Sequence, residues 1–177
     1  MHIVIIGEDG QLGTDFMDSS IDLGYKVTGL THSDLEIADR KQVFKVLSDI
    51  DFDVIINTSA YHGYKAYEDN SPIKYYSVNT FGPYYLAQYV EENDKCLVHF
   101  STDYVFSGNI CSGDYSYTEN DNPEPSNLYA ASKLAGEKII STIANNYFIF
   151  RLASLYGSRG CKAKNNSNFV ELTLKKL

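Results

Sequence analysis

The N-terminal strand and the turn after it restrict the fold more than any other part of the chain. His2-Ile3-Val4-Ile5-Ile6 is an apolar, largely β-branched run that leads directly into Gly7-Glu8-Asp9-Gly10-Gln11-Leu12-Gly13. A GxxGxxG between a strand and a helix has a mechanical purpose. The glycines make a tight turn, let backbone approach a pyrophosphate, and let the helix pack closely on the sheet. The free N–H groups at the helix N-terminus then face the anion. A strand-to-helix turn that binds nothing has the same outline, so the rest of the chain must decide between them.

That rest alternates strand and helix. The spacing predicts helices over residues 11–23, 40–49, 72–92 and 128–144, and a last one from about residue 168 onward. Strands are predicted at 26–30, 53–57, 96–100 and 147–152. Strands separated by helices imply right-handed βαβ crossovers and a parallel sheet. Their continuous apolar character predicts a sheet covered on both faces. The fold class is therefore α/β, a doubly wound parallel sheet of Rossmann type. Residues 107–127 are the exception, rich in Ser, Gly, Asn, Asp and Pro. A loop of that length is usually functional, and it follows a strand's carboxyl end, where such folds hold ligands.

Composition narrows the partners. Lys and Arg number 15 against 23 Asp and Glu, a net charge of −8. No basic surplus exists to displace counterions, which argues against a nucleic-acid partner. No apolar run nears the roughly 20 residues that cross a bilayer, so no membrane partner is expected. The N-terminus has no signal-peptide pattern. Cys96, Cys111 and Cys161 are widely spaced without a CxxC, which fits a reducing cytoplasm and neither a zinc module nor a disulfide framework. No metal ligands are assigned.

Tyrosine is abundant, 15 of 177 residues, so a Tyr-x-x-x-Lys match carries little weight alone. The pairing itself has a clear chemistry. Two residues four apart share a helix face, and an ammonium beside a phenol favours the phenolate, lowering its pKa towards the working range. The phenol can then exchange a proton with a substrate carbonyl. The two matches are Tyr61/Lys65 and Tyr129/Lys133. Tyr61 lies in a loop with Gly63, with no helical face to share. Tyr129 follows the breaker cluster Pro123-Glu124-Pro125-Ser126-Asn127, whose last residues can cap a helix that continues through Lys133. Ser101-Thr102-Asp103, at the end of the fourth strand, offers a hydroxyl on the same sheet edge as the glycine turn.

Taken together these motifs resemble the extended short-chain dehydrogenase/reductase superfamily. Within it, Gly10-Gln11-Leu12-Gly13, Ser101-Thr102-Asp103-Tyr104-Val105-Phe106 and the stretch from Asn127-Leu128-Tyr129 through Lys133 to Glu137 are similar to dTDP-4-dehydrorhamnose reductases. The resemblance implies that NADPH or NADH delivers hydride to C4 of a nucleotide-linked 4-keto-6-deoxy sugar. Catalytic roles then fall to Thr102 (keto oxygen), Tyr129 (proton donor) and Lys133 (ribose, and tuning of Tyr129). The cofactor-binding set is Gly7, Gly10, Gln11, Leu12 and Gly13 of the turn, Thr31, Glu36 and Ile37 after the second strand, and Ser59, Ala60 and Tyr61 after the third, with Tyr129 and Lys133. Thr102, Asp103, Tyr104 and Ser154 are the expected substrate residues. Tyr104 stands where the related 4,6-dehydratases carry the glutamate of their Thr-Asp-Glu, which removes the base for dehydration.

The cofactor remains open between NADPH and NADH. The acid that commonly holds the NAD ribose at the end of the second strand is missing from Leu30-Thr31-His32-Ser33, and Asp34 and Glu36 come later. His32 leans the choice towards NADPH and equally reads as a solvated loop histidine. Arg151-Leu152-Ala153-Ser154-Leu155-Tyr156-Gly157 lacks the tryptophan that relatives often have at the Ser154 position, and residues 62–69 also differ, so the sugar is open as well. Such reductases are longer than this chain. Residues 1–177 are therefore expected to be an NAD(P)-binding domain lacking the C-terminal substrate domain. Alternatives are an epimerase or another enzyme of the scaffold, and a non-catalytic subunit like the regulatory subunit of methionine adenosyltransferase, which resembles the same reductases. A homodimer is one open assembly.

Overall fold

Five strands run in one direction in the order β2-β1-β3-β4-β5. A computed structural model of the chain describes residues 1–62, 71–108, 116–157 and 169–174. Its elements are β1 (His2–Ile6), α1 (Gln11–Asp22), β2 (Lys26–Leu30), α2 (Arg40–Ser48), β3 (Val54–Asn57), α3 (Pro72–Tyr76), α4 (Gly82–Glu92), β4 (Cys96–Thr102), α5 (Leu128–Ile143), β5 (Tyr147–Leu152) and α6 (Phe169–Leu174). Lys65, Gly63, Cys111 and Cys161, the centre of the 107–127 loop and the expected start and end of the last helix lie outside the described residues.

The order places the functional edge. The chain leaves β1 to one side, forming β2, and returns to the other side of β1 as β3. The crevice beyond the carboxyl ends of β1 and β3 is thus the topological switch point of the sheet. Helix ends are set by side chains: Asp39 accepts from the N–H groups of Lys41 and Gln42 to start α2, and Asn127 accepts from Ala130 N–H at 2.9 Å to start α5.

The predicted helix over 72–92 differs in one respect. Residues Ser77–Phe81 form a π-helical turn between α3 and α4. Pro83 has no N–H to give to the carbonyl of Asn79, so the i→i−4 ladder opens there. That freed carbonyl faces α5 at Gly136, where a Cβ would stand 2.4 Å from it. The two helices can approach this closely only because residue 136 has no side chain.

The faces of the sheet are covered unequally. On one, Val4, Ile6, Ile55 and Leu97 pack with Val43, Leu47, Leu86, Val90 and Ile140 in the main core. On the other, a smaller cluster of Ile3, Ile5 and Ile56 packs with Phe16 and Met17 of α1. Phe148 and Phe150 of β5 point to that second face and are 56% and 48% exposed. Coverage of both faces, as the apolar strands predicted, is thus incomplete at β5 among the described residues. Tyr147, Ile149 and Arg151 alternate with these phenylalanines and are more covered, so β5 reads as a half-buried strand. Among the described residues, no helix is long and apolar enough to cross a membrane.

Candidate active site

A cleft of about 1030 Å³ opens at the carboxyl edge of the sheet, over the switch point. Every site residue expected from the sequence lines it: Gly7, Gly10, Gln11, Leu12 and Gly13; Thr31, Glu36 and Ile37; Ser59, Ala60 and Tyr61; Thr102, Asp103 and Tyr104; Tyr129, Lys133 and Ser154. They come from the ends of the five strands and the segments after them, and from the first turns of two helices, α1 and α5.

The glycine turn is held by backbone contact. A Cβ on Gly13 would stand 2.1 Å from the carbonyl oxygen of Gly7 and 2.8 Å from Glu8 Cα, so α1 can start this close to the turn only with glycine there. Thr58 Oγ donates to the carbonyls of Ile6 (2.9 Å) and Gly7 (3.1 Å), tying the loop after β3 to the turn. Gln11 Nε2 is buried with no hydrogen-bond partner. A cradle of bare backbone with an unpaired amide fits a polyphosphate ligand.

At the end of β2, both nearby acids are engaged locally. Asp34 accepts from Thr31 N–H (2.8 Å) and Thr31 Oγ (2.6 Å), and these bonds, the hydroxyl first, hold its carboxyl below the usual value. Glu36 accepts from Ala38 N–H at 2.9 Å and lies 3.6 Å from His32 Nε2.

Asn79, from the π-helical turn, clamps the loop after β3. Its Oδ1 accepts from Tyr61 N–H at 2.8 Å, and its Nδ2 donates to Tyr61 O at 2.8 Å and to Ser132 Oγ at 3.0 Å. The sequence reading missed Asn79, because a polar residue inside a predicted helix carries no signal of its own. Pro83 four residues on was the available clue. His99 was also missed, although a histidine inside the apolar run Cys96-Leu97-Val98-His99-Phe100 is a visible irregularity.

Tyr129 and Lys133 sit on the first turns of α5. Tyr129 is half-buried, with the ring of His62 edge-on at 6.4 Å. Burial, then the charges of Asp103 and Tyr104, push its phenol up to about 12, while a hydrogen bond with Thr102 pulls the other way. The lowered phenol expected from the lysine is therefore not what this chain sets up. Burial is the main reason, and Lys133 does not offset it: the lysine is 2% exposed, its Nζ points to His99 Nε2 at 3.4 Å, and burial brings it down to about 8 against the opposing charge of Glu137. Glu137 is itself ion-paired to Arg151 at 2.8 Å. The phenol is consequently protonated at neutral pH, the form that can donate. Among the described residues, no group of three or more His, Cys, Asp or Glu could hold a metal ion.

Comparisons with known proteins place this geometry. A reductase of low-salt glycan biosynthesis, Agl14 of Haloferax volcanii, described as probable, is 32% identical over 90% of this chain and 55% of its own length. The dTDP-4-dehydrorhamnose reductase of Aggregatibacter actinomycetemcomitans is 34% identical over 98% of this chain and 56% of its own. The crystal structure of dTDP-4-dehydrorhamnose reductase from Bacillus anthracis in complex with NADP superposes with a TM-score of 0.86 at 33% identity, over 98% of this chain and 58% of that one. The chain thus spans little more than half the length of the relatives it matches. The family model described as RmlD substrate binding domain matches residues 1–177, and the chain belongs to that family.

Proposed function

We propose that this chain is the cofactor-holding portion of an NAD(P)H-dependent reductase acting on the 4-keto group of a nucleotide-linked 4-keto-6-deoxy sugar, as in deoxysugar biosynthesis. The observation that carries the reading is the convergence of the glycine turn, Thr102, Tyr129 and Lys133 on one cleft. The family membership and the NADP complex of a 33% identical relative support it.

The bare cradle at Gly7 and Gly13 and the unpaired Gln11 amide fit the pyrophosphate of a dinucleotide. When bound, the nicotinamide supplies hydride. Thr31, Glu36 and Ile37 lie where the adenosine ribose would be held, and Ser59, Ala60 and Tyr61 where the nicotinamide would lie. Lys133 would hold the second ribose as a hydrogen-bond donor. Tyr129 gives its proton to the oxygen of the reduced carbonyl, since the phenol is protonated throughout the neutral range. Thr102, buried at the end of β4, orients that oxygen. Asp103, Tyr104 and Ser154 stand at the open side, where the sugar would enter.

A direct test titrates the protein with NADPH and NADH side by side and then follows oxidation of the bound cofactor by a dTDP-4-keto-6-deoxy sugar. Micromolar binding of either, followed by turnover, is the expected result; binding of neither sinks the reading. The reading further places the protein in the cytoplasm, without nucleic-acid or membrane partners. The assembly is open, a homodimer being one outcome, to be read by light scattering.

A further inference from the structure

His99 is fully buried in the middle of β4, and its two ring nitrogens meet different partners. Nδ1 lies 3.1 Å from Asn57 Nδ2, and Nε2 lies 3.4 Å from Lys133 Nζ. The Asn57 amide is oriented independently of the ring. Its Oδ1 accepts from Ser59 N–H at 3.1 Å and from Ser59 Oγ at 2.6 Å, so its Nδ2 donates to His99 Nδ1. A neutral imidazole has one donor nitrogen and one acceptor. With Nδ1 accepting, the ring proton sits on Nε2 and points at the lysine. An ammonium offers donors alone, so this N–H opposes it and favours the amine, which can accept. A separation of 3.4 Å is longer than an ordinary hydrogen bond, as expected of two donors that face each other.

We propose that His99 is a positioning residue for Lys133: its tautomer, fixed by Asn57 and Ser59, directs an N–H at the lysine and weakens the ammonium form. Burial lowers Lys133 as well, and the remaining charges around the pair do not. Glu137, on the same helix and paired to Arg151 of β5, favours the ammonium. Tyr129, and around it Asp103, Tyr104 of the turn after β4 and Tyr75 of α3, are the other titratable groups that face the site. Burial and the lysine charge hold His99 well below its ordinary value, which keeps the ring neutral with a single proton. The consequence for function rests on the ribose role of Lys133 given above. Ribose hydroxyls supply the acceptors that the ring withholds, so dinucleotide binding draws a proton onto the lysine.

The test is read first on the chain without cofactor. Long-range ¹H–¹⁵N spectra of the imidazoles report the His99 tautomer, and ¹³Cε-lysine titration reports Lys133, assigned by the loss of its signal in Lys133→Arg. The wild-type ring is expected to carry its proton on Nε2 from about pH 6 to about pH 9, with Lys133 titrating at least about one unit below an ordinary lysine. Asn57→Asp offers Nδ1 an acceptor, so it is expected to flip the tautomer and raise the Lys133 midpoint by about one unit more than the same change does in the His99→Gln background, where only the charge of the new carboxylate acts. His99→Gln, whose oxygen can take the Asn57 bond and leave its N–H towards Lys133, is expected to keep the midpoint within about half a unit. A wild-type ring protonated on Nδ1, or a midpoint that rises no more on Asn57→Asp than it does in the His99→Gln background, overturns the proposal. The tautomer is observed in the wild-type protein, so a variant that does not fold leaves that arm intact. Failure of NADPH to bind, with the tautomer as expected, sinks the reductase reading and leaves the His99–Lys133 pairing standing.

Discussion

The two walls of the cleft are built differently. The wall formed by the glycine turn, the loop after β3 and α5 is interlocked: Gly13 packs against the Gly7 carbonyl, Thr58 bonds back to Ile6 and Gly7, and Asn79 grips Tyr61 from both sides. The wall formed by the segments after β4 and β5 is open, with Tyr104 54% and Tyr156 75% exposed and Asp103 and Ser154 exposed as well. The first wall is fixed by backbone geometry and the second presents side chains to solvent. If the cleft holds a dinucleotide as proposed, the interlocked wall is its preformed side, and what is held at the other side depends on exposed side chains.

The strongest way to break the interlocked wall is Gly13→Ala. The new Cβ would meet backbone at 2.1 Å, and no flexible side chain can yield there. Overpacking of this kind costs about 1–3 kcal/mol or more. NADPH affinity is expected to fall by about a hundredfold, measured by fluorescence titration alongside urea denaturation. An unchanged affinity would mean that the turn does not hold the dinucleotide. Tyr129→Phe separates chemistry from holding. Turnover is expected to drop by about 10²- to 10⁴-fold, because the phenol's proton is lost. NADPH affinity is expected to stay within about threefold, and a parallel loss of affinity would assign Tyr129 to binding instead.

Lys133→Met probes the buried charge of the same wall. The lysine titrates at 10.5 in the unfolded chain and at about 8 in the folded one. Between those values the unfolded chain holds a proton that the folded chain has released, so stability rises with pH across that window. Below about pH 8 both states are protonated and the folded state carries the full burden of a buried ammonium. The variant is therefore expected to be more stable than the wild type at neutral pH, on the order of 2–3 kcal/mol, with the gap closing by about pH 10.5. Denaturation at a series of pH values measures it. A gap that is flat or widens between pH 8 and 10.5 contradicts the assignment.

The same contrast explains what the sequence made legible. The glycine turn, the cap at Asn127 and the Tyr129–Lys133 spacing are local patterns with local causes, so they were readable, and their convergence followed from the parallel sheet. Asn79 and His99 were not readable as site residues, because their roles depend on which elements lie beside them: a π-helical turn against α5, and a strand centre beneath a lysine. The sign of the Tyr129 shift failed for a related reason. Four-residue spacing guarantees a shared helix face, but it does not say how deeply the phenol is buried, which is what raises it most, or where the lysine's end points, and here it turns to His99. The exposed faces of Phe148 and Phe150 were equally hidden in a continuous apolar run, since hydrophobicity along a strand does not say whether a helix covers it.

The smallest expected effect belongs to the open wall. Tyr104 follows Thr102 and Asp103 in the turn after β4, where its N–H donates to Thr102 Oγ at 3.2 Å while its side chain projects to solvent. Tyr104→Phe leaves that backbone bond in place and removes one hydroxyl from a half-exposed ring. Stability is expected to stay within about 0.5 kcal/mol of the wild type, as for other exposed positions. NADPH affinity is expected to stay within about twofold, because no cofactor-side contact is touched. If the open wall meets the sugar, the change appears only as a rise of a few-fold in the KM for the nucleotide sugar, about what one hydrogen bond of roughly 1 kcal/mol is worth. A drop in NADPH affinity instead would show that the two walls are coupled, and that the division between a preformed side and an open one does not hold.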